Sequence, residues 1–223
     1  MTLQQELDAF RTGWEARVGG DIAVRIAHDI DALRRTGIEK NVIRVGARLP
    51  RAQGLRDALG QPFDLGTVVG RKPLVLVFYR GGWCPYCNLE LRAYQQRLAD
   101  IRALGAELIA VSPETPDASL DTAGKNALAF AVLSDPGNRF AEALGLRFVL
   151  TPGLRPLYEA AGHALPDRNG DGSRTLPMPA TLVVDRHGGV VLVDANPDYR
   201  QRLEPQRVVD ALAALARVAP AIA

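Results

Sequence analysis

The sequence predicts an α/β fold, a central mixed sheet flanked by helices and preceded by a helical extension. Three observations predict it. Leu74-Val-Leu-Val-Phe-Tyr79 is an unbroken apolar run, rich in β-branched and aromatic residues, as a strand covered on both faces requires. Runs of this kind then alternate with helical periodicities as far as Thr151, which implies parallel strands joined by right-handed crossovers. Beyond them, two short apolar segments flank a glycine-bearing loop and are followed by an amphipathic helix.

Taken in order, the first 40 residues read as helical. Asp21 can cap a segment whose Ile22, Ile26, Ile30 and Leu33 share a face, with Arg34 and Arg35 in the last turn and Gly37 just past it. Residues 1–43 are therefore expected to be a helical extension and 44–223 the main domain. Glycines and prolines punctuate residues 41–72 too often for a long element, which makes that stretch a connecting segment. After the strand at Leu74, Cys87, Leu91, Tyr94, Leu98 and Ile101 keep helical spacing up to Gly105, a residue suited to a left-handed terminator. Glu107–Val111 and Phe130–Leu133 read as strands, with a poorer helix at 117–126 between them. Ser134–Gly137 is a turn, Arg139–Leu144 a short helix and Arg147–Thr151 another strand. Thr181–Val184 and Val190–Val193 form the hairpin, and Pro205 opens a helix on which Val208, Val209, Leu212 and Leu215 share a face. The order β-α-β-α-β, hairpin, helix is that of a thioredoxin-like fold.

Composition narrows the function. Of the 223 residues, 47% are hydrophobic and 23% charged, which excludes collagen-like, disordered and disulfide-scaffold chains. The charges nearly cancel at +2 and are scattered, so no basic stripe is available to neutralise phosphates and nucleic acid is not an expected partner. No window reaches the run of about 20 apolar residues that a membrane helix needs. The polar, acidic first residues lack the pattern of a secretory signal, which makes the cytoplasm the expected location. Only Lys40, Lys72 and Lys125 are lysines among 27 basic residues, a bias that with abundant alanine suggests a GC-rich bacterial coding sequence.

The chemistry is carried by Trp83-Cys84-Pro85-Tyr86-Cys87, which lies between a buried strand and a helix. Cys84 then sits at the helix N-terminus, where unpaired N–H groups and the positive end of the dipole favour a thiolate. Residues at i and i+3 of a first turn stand about 5–6 Å apart, the separation a disulfide requires. Pro85 stiffens that turn and removes a donor that would be unpaired. The alternatives are weaker. A structural zinc site needs four ligands, yet there is no second cysteine pair, and His28, His163 and His187 have no ligand spacing. Inert buried cysteines would place both sulfurs at a helix start by coincidence. A non-enzymatic partner protein would have no use for the pair. Asp167-x-Asn-x-Asp171-Gly-Ser173 opens like a calcium loop, but Met178 stands where the closing acid belongs, so a polar turn is the better reading.

Around the pair, Arg80 can stabilise a thiolate or a peroxide and Trp83 can shield the sulfurs, with Tyr86 inside the motif as a further support. Pro179 precedes a strand and is expected as a cis proline facing the cysteines, with the Met178 backbone offered to substrate. Residues 152–178, with repeated glycine and proline, read as a mobile lid.

Val77-Phe-Tyr-Arg-Gly-Gly-Trp-Cys-Pro-Tyr-Cys-Asn-Leu-Glu-Leu91 resembles the active-site segment of peroxiredoxin-like proteins of the alkyl hydroperoxide reductase and thiol-specific antioxidant family. Ala110–Pro116, Val132–Gly137 and Pro179–Asp185 are similar to that family's later strands, so the likeness covers about residues 44–217. It implies a thioredoxin fold, reduction of hydrogen peroxide or organic hydroperoxides through a sulfenic acid, no cofactor, and an external thiol reductant such as a thioredoxin or glutaredoxin system. A homodimer is one assembly that the amphipathic N-terminal helices allow. The chain departs from the family pattern Pro-x-x-x-Thr-x-x-Cys: laid on without a gap, it puts Arg80 at the proline, Cys84 at the threonine and Cys87 at the peroxidatic cysteine. The family's peroxide-polarising arginine falls on Pro179. Two mechanisms therefore compete. In one, Cys87 attacks peroxide and Cys84 resolves the sulfenic acid; in the other, Cys84 exchanges with a disulfide and Cys87 resolves it.

Overall fold

Strand β1 (Leu74–Phe78) is buried along its whole length, and its alternate side chains enter two separate apolar cores. Val75 and Val77 face one core, Leu74, Leu76 and Phe78 the other. A strand that must satisfy both faces has no polar position to spare, which is why it reads as a continuous apolar run. The computed structural model describes residues 1–218. In it, β1 pairs in parallel with β2 (Glu107–Ser112), and β2 in parallel with β3 (Ala131–Ser134).

Ahead of the sheet lie α1 (Leu3–Val18) and α2 (Gly20–Arg35). The crossovers are α3 (Pro85–Gln96) with α4 (Leu98–Ala103), and α5 (Pro116–Lys125), followed by α6 (Arg139–Ala143). The chain then leaves the main sheet. Strands β4 (Arg147–Val149) and β5 (Thr175–Pro177) form a two-stranded antiparallel ribbon of their own, with α7 (Arg155–Ala160) and α8 (Leu165–Asn169) between them. It returns as β6 (Ala180–Val184), antiparallel to β1, and β7 (Val190–Ala195), giving the order β3-β2-β1-β6-β7. Helix α9 (Pro205–Val218) buries Val208 and Leu212 in the core that holds Val75 and Val77.

Several local expectations change. Helix α2 starts at Gly20 with Gly19 as its cap, so Asp21 sits in the first turn, where its charge faces the helix dipole but makes no capping hydrogen bond. The helix after the cysteines breaks at Arg97, with Leu98 and Ile101 still buried on the far side. The strand predicted at Arg147 does not join the central sheet, because its partner is β5, which the sequence pattern does not reveal. Residues 152–178, expected as a mobile lid, contain regular structure. They hold α7, α8 and β5, and Leu154, Leu165 and Leu176 pack with Ile26 and Ile30 of α2 in a third core.

The N-terminal hairpin of α1 and α2 shares its cores with the rest of the chain. Leu3 and Leu7 lie in the cluster formed by β1, α3 and α9. Truncating Leu7, fully buried at 0% exposure, is expected to cost about 2–5 kcal/mol of global stability. Urea unfolding of Leu7→Ala checks this: a midpoint unchanged from wild type would mean that α1 is detachable.

Candidate active site

The site is built where β1 ends. Tyr79 closes the strand in full burial, and Arg80-Gly-Gly-Trp83 carries the chain to α3. Gly81 has φ +150°, and a Cβ there would lie 2.7 Å from Trp83 Cδ1 and 2.9 Å from Glu114 Cδ. A Cβ on Gly82 would collide with the Thr122 hydroxyl. Both glycines are needed so that the loop can pass between these side chains. Polar contacts then fix it. Gly82 N donates to Glu114 Oε2 at 2.6 Å, and the Gly82 carbonyl accepts from Asn88 Nδ2 at 2.8 Å and Lys125 Nζ at 3.2 Å. Asn126 in turn donates to Asn88 Oδ1 at 2.8 Å.

This clamp delivers Cys84 to the N-cap of α3, with Pro85 as the first helical residue and Cys87 one turn in. Both cysteines are free thiols and both are buried, at 2% and 0% exposure. Positive charge reaches each sulfur. Arg80 Nη1 lies 4.0 Å from Cys84 Sγ and Arg202 Nη2 lies 3.7 Å from Cys87 Sγ. Arg202 is held by Glu90 Oε2 at 2.8 Å and by the carbonyls of Tyr199 and Gln201. Arg80 stacks 3.9 Å over the Tyr199 ring, and its other amine donates to the Tyr158 hydroxyl.

The electrostatics separate the two thiols. Burial works against ionising Cys84, but the hydrogen bond from Cys87 and the charges of Arg80 and Arg202 outweigh it and bring the thiol down to about 6. Burial, the hydrogen bond to Cys84 and the Cys84 charge all push Cys87 well above the ordinary thiol range. Burial also lifts Glu90 to about 7, against the pull of Arg202. One proton is thus shared unequally. The arrangement favours ionisation at Cys84 over Cys87.

Above Cys84 opens a cleft of about 250 Å³. Trp83 lines it, edge-on to Tyr158 at 5.4 Å and stacked with His163 at 4.9 Å. Tyr86 also lines it, with T-shaped contacts to Phe10 at 5.1 Å and Tyr199 at 5.4 Å. The structure thus brings Arg80, Trp83, Cys84 and Tyr86 to one cleft, with Cys87 directly behind. Met178 and Pro179 depart from expectation. The Met178–Pro179 bond is trans. The Met178 N–H is spent on the Leu146 carbonyl at 2.7 Å, and its side chain is fully buried in the core on the opposite face of the sheet, so neither is offered to a substrate. Pro179 instead lines a small cavity of about 40 Å³ beside Arg80, Tyr158 and Tyr199. Among the described residues no group of three or more His, Cys, Asp or Glu side chains could hold a metal ion.

Arg202 and Glu90 were not singled out from sequence. Arg202 stands 115 positions from Cys87 and carries no local signal. Glu90 did carry one, as an acid one turn beyond Cys87 on the otherwise apolar face of α3.

Comparison with known proteins gives the family and the fold. The model of the AhpC/TSA family matches residues 45–193. The chain belongs to the AhpC/TSA family. It is 27% identical over 156 residues to peroxiredoxin Q of Sedum lineare, covering 70% of this chain and 69% of that one. It is 22% identical over 151 residues to the thiol-disulfide oxidoreductase ResA of Halalkalibacterium halodurans, covering 67% and 68%. The chain spans between 58% and 69% of the length of the plant peroxiredoxin Q proteins it matches. Among solved structures it superposes on the peroxidoxin BcpB of Mycobacterium tuberculosis with a TM-score of 0.60 at 18% identity, over 78% of this chain and 98% of that one. The fold is therefore the thioredoxin-like fold of the peroxiredoxins. Within this AhpC/TSA chain, Pro179 stands at the arginine position, and the guanidinium groups near the sulfurs are those of Arg80 and Arg202.

Titrating the reduced protein and following thiolate absorbance should give one ionisation near pH 6 that disappears in Cys84→Ser. A single ionisation that survives in Cys84→Ser and is lost in Cys87→Ser would reverse the assignment. Gly81→Ala should destabilise the fold by roughly 1–3 kcal/mol, read from the thermal midpoint, because the collision with Trp83 and Glu114 forces the loop apart.

Proposed function

We propose that this AhpC/TSA chain is a thiol-dependent peroxidase in which Cys84 is the peroxide-reacting sulfur and Cys87 the resolving one. The observation that carries the assignment is the position of Cys84: it alone of the two sulfurs borders the cleft, and it is the one held as thiolate. The gap-free family pattern would give the first role to Cys87, but Cys87 is shut behind Cys84 and held protonated.

The reaction balances in two steps. The Cys84 thiolate attacks one oxygen of R–O–O–H; the O–O bond breaks, the leaving oxygen takes a proton and departs as R–OH, and sulfur is oxidised to a sulfenic acid. Arg80 steadies the thiolate and the departing oxygen, and near-complete burial of the sulfur limits water around the reacting atoms. Burial still works against ionising Cys87, but oxidation removes the Cys84 charge that added to it. With Arg202 at 3.7 Å, Cys87 can now ionise and attack the sulfenic sulfur. The S–O bond breaks, water leaves with the Cys87 proton, and a disulfide remains for an external dithiol of the thioredoxin or glutaredoxin type to reduce.

Exchange with a disulfide, the activity named for the ResA relative, would use the same Cys84 thiolate. The walled position of the sulfur favours a peroxide over the disulfide of a folded protein. As part of the same reading we place the chain in the bacterial cytoplasm, supported by its arginine-rich, lysine-poor composition and by having only two cysteines, too few for a stapling framework.

Stopped-flow oxidation by hydrogen peroxide with mass analysis tests the assignment. Cys84→Ser should lose the reaction. Cys87→Ser should react once and stop with one oxygen added to Cys84. Retained oxidation in Cys84→Ser would sink it. The wild-type rate should rise with pH through about 6 and then level off, since deprotonating Cys84 creates the nucleophile and lowering the pH removes it.

A further inference from the structure

We infer that the N-terminal helical hairpin is the specificity element of this enzyme, forming the wall of a subsite for the apolar substituent of a bulky organic hydroperoxide. The inference rests on the peroxidase reading and deepens it. The cleft over Cys84 has two chemically distinct ends. At its floor stand the groups that handle oxygen, the Cys84 sulfur and Arg80. Its walls are Phe10 and Trp14 of α1 and Ile22 and Ile26 of α2, facing Leu157 and Tyr158 of α7. No charged side chain of the hairpin enters this wall. A hydroperoxide with its O–O–H at the sulfur and an apolar substituent against the hairpin matches both ends, with His163 as the remaining polar side of the cleft.

Size points the same way. One water needs roughly 10–15 Å³ of such space, whereas the cleft offers about 250 Å³. Hydrogen peroxide at the sulfur would leave most of it as water against aromatic and aliphatic walls. An aromatic or branched alkyl group displaces that water and gains its burial, and this gain from the non-reacting part of the substrate holds the peroxide oxygen against Cys84. The hairpin residues lie before the 45–193 stretch that matches the family. The selectivity is therefore a property added to the common domain by α1 and α2.

The test compares kcat/KM for cumene hydroperoxide and for hydrogen peroxide in wild type, Trp14→Ala and Trp14→Phe. The wild-type ratio should favour cumene hydroperoxide. Trp14→Ala should lower that ratio by roughly tenfold, and Trp14→Phe, which keeps an aromatic wall, should largely preserve it. A wild-type ratio of one or less overturns the inference, as does an equal loss toward both substrates in Trp14→Ala, the result a purely structural role would give. If neither peroxide is consumed, the peroxidase reading fails on its own. The subsite is then judged by calorimetry with 2-phenyl-2-propanol, the alcohol that cumene hydroperoxide yields. Binding weakened in Trp14→Ala supports the subsite, and no binding to wild type overturns it.

Discussion

A negative sulfur in a buried place is unfavourable unless positive charge is brought to it, and that requirement organises this molecule. The start of α3 supplies part of the charge through its unpaired amides, and Arg80 and Arg202 supply the rest. Each guanidinium needs its own restraint. Arg80 is sandwiched among Trp83, Tyr158 and Tyr199, and Arg202 is pinned by Glu90 inside the core. Breaking the Glu90–Arg202 pair would leave a charge stranded among apolar side chains, which makes this pair a structural as well as an electrostatic commitment.

The same requirement explains why so much distant chain converges on one helix end. The loop after β1 is clamped from α5 and the strand end at Glu114, the aromatic cover comes from α7 and its following turn, and Arg202 arrives from the segment before α9. Each of these elements is packed into the cores that flank the sheet or into the third core under α2. Stability and reactivity are thus coupled: the side chains that exclude water from the sulfurs also bury the apolar faces of the helices. The α1–α2 hairpin takes part in both, with Leu3 and Leu7 in the core and Phe10 and Trp14 on the cleft.

The reactive pair was legible because its chemistry is local. A strand, Cys-x-x-Cys and a proline at the helix start define the N-cap position of one sulfur and the one-turn offset of the other without any long-range contact. The sheet was legible for a similar reason, since strands covered on both faces must be apolar throughout. Reading failed where the outcome depended on what lies opposite. Met178 and Pro179 looked like a substrate-facing corner, but the hydrogen bond from Met178 to Leu146 and the pull of its side chain into the far core turned it inward. The glycine and proline of residues 152–178 suggested a mobile lid and revealed none of its elements, yet α2 offers Ile26 and Ile30 as a surface on which short helices can form.

The amino-acid order by itself determined the α/β succession and the placement of two thiols at the start of a helix, because each follows from neighbouring residues. Only the tertiary structure decided which sulfur borders the cleft, where the arginines beside the sulfurs stand and which side chains wall the cleft. Charge and exclusion of water act through space, and the groups that supply them here lie tens of residues apart along the chain.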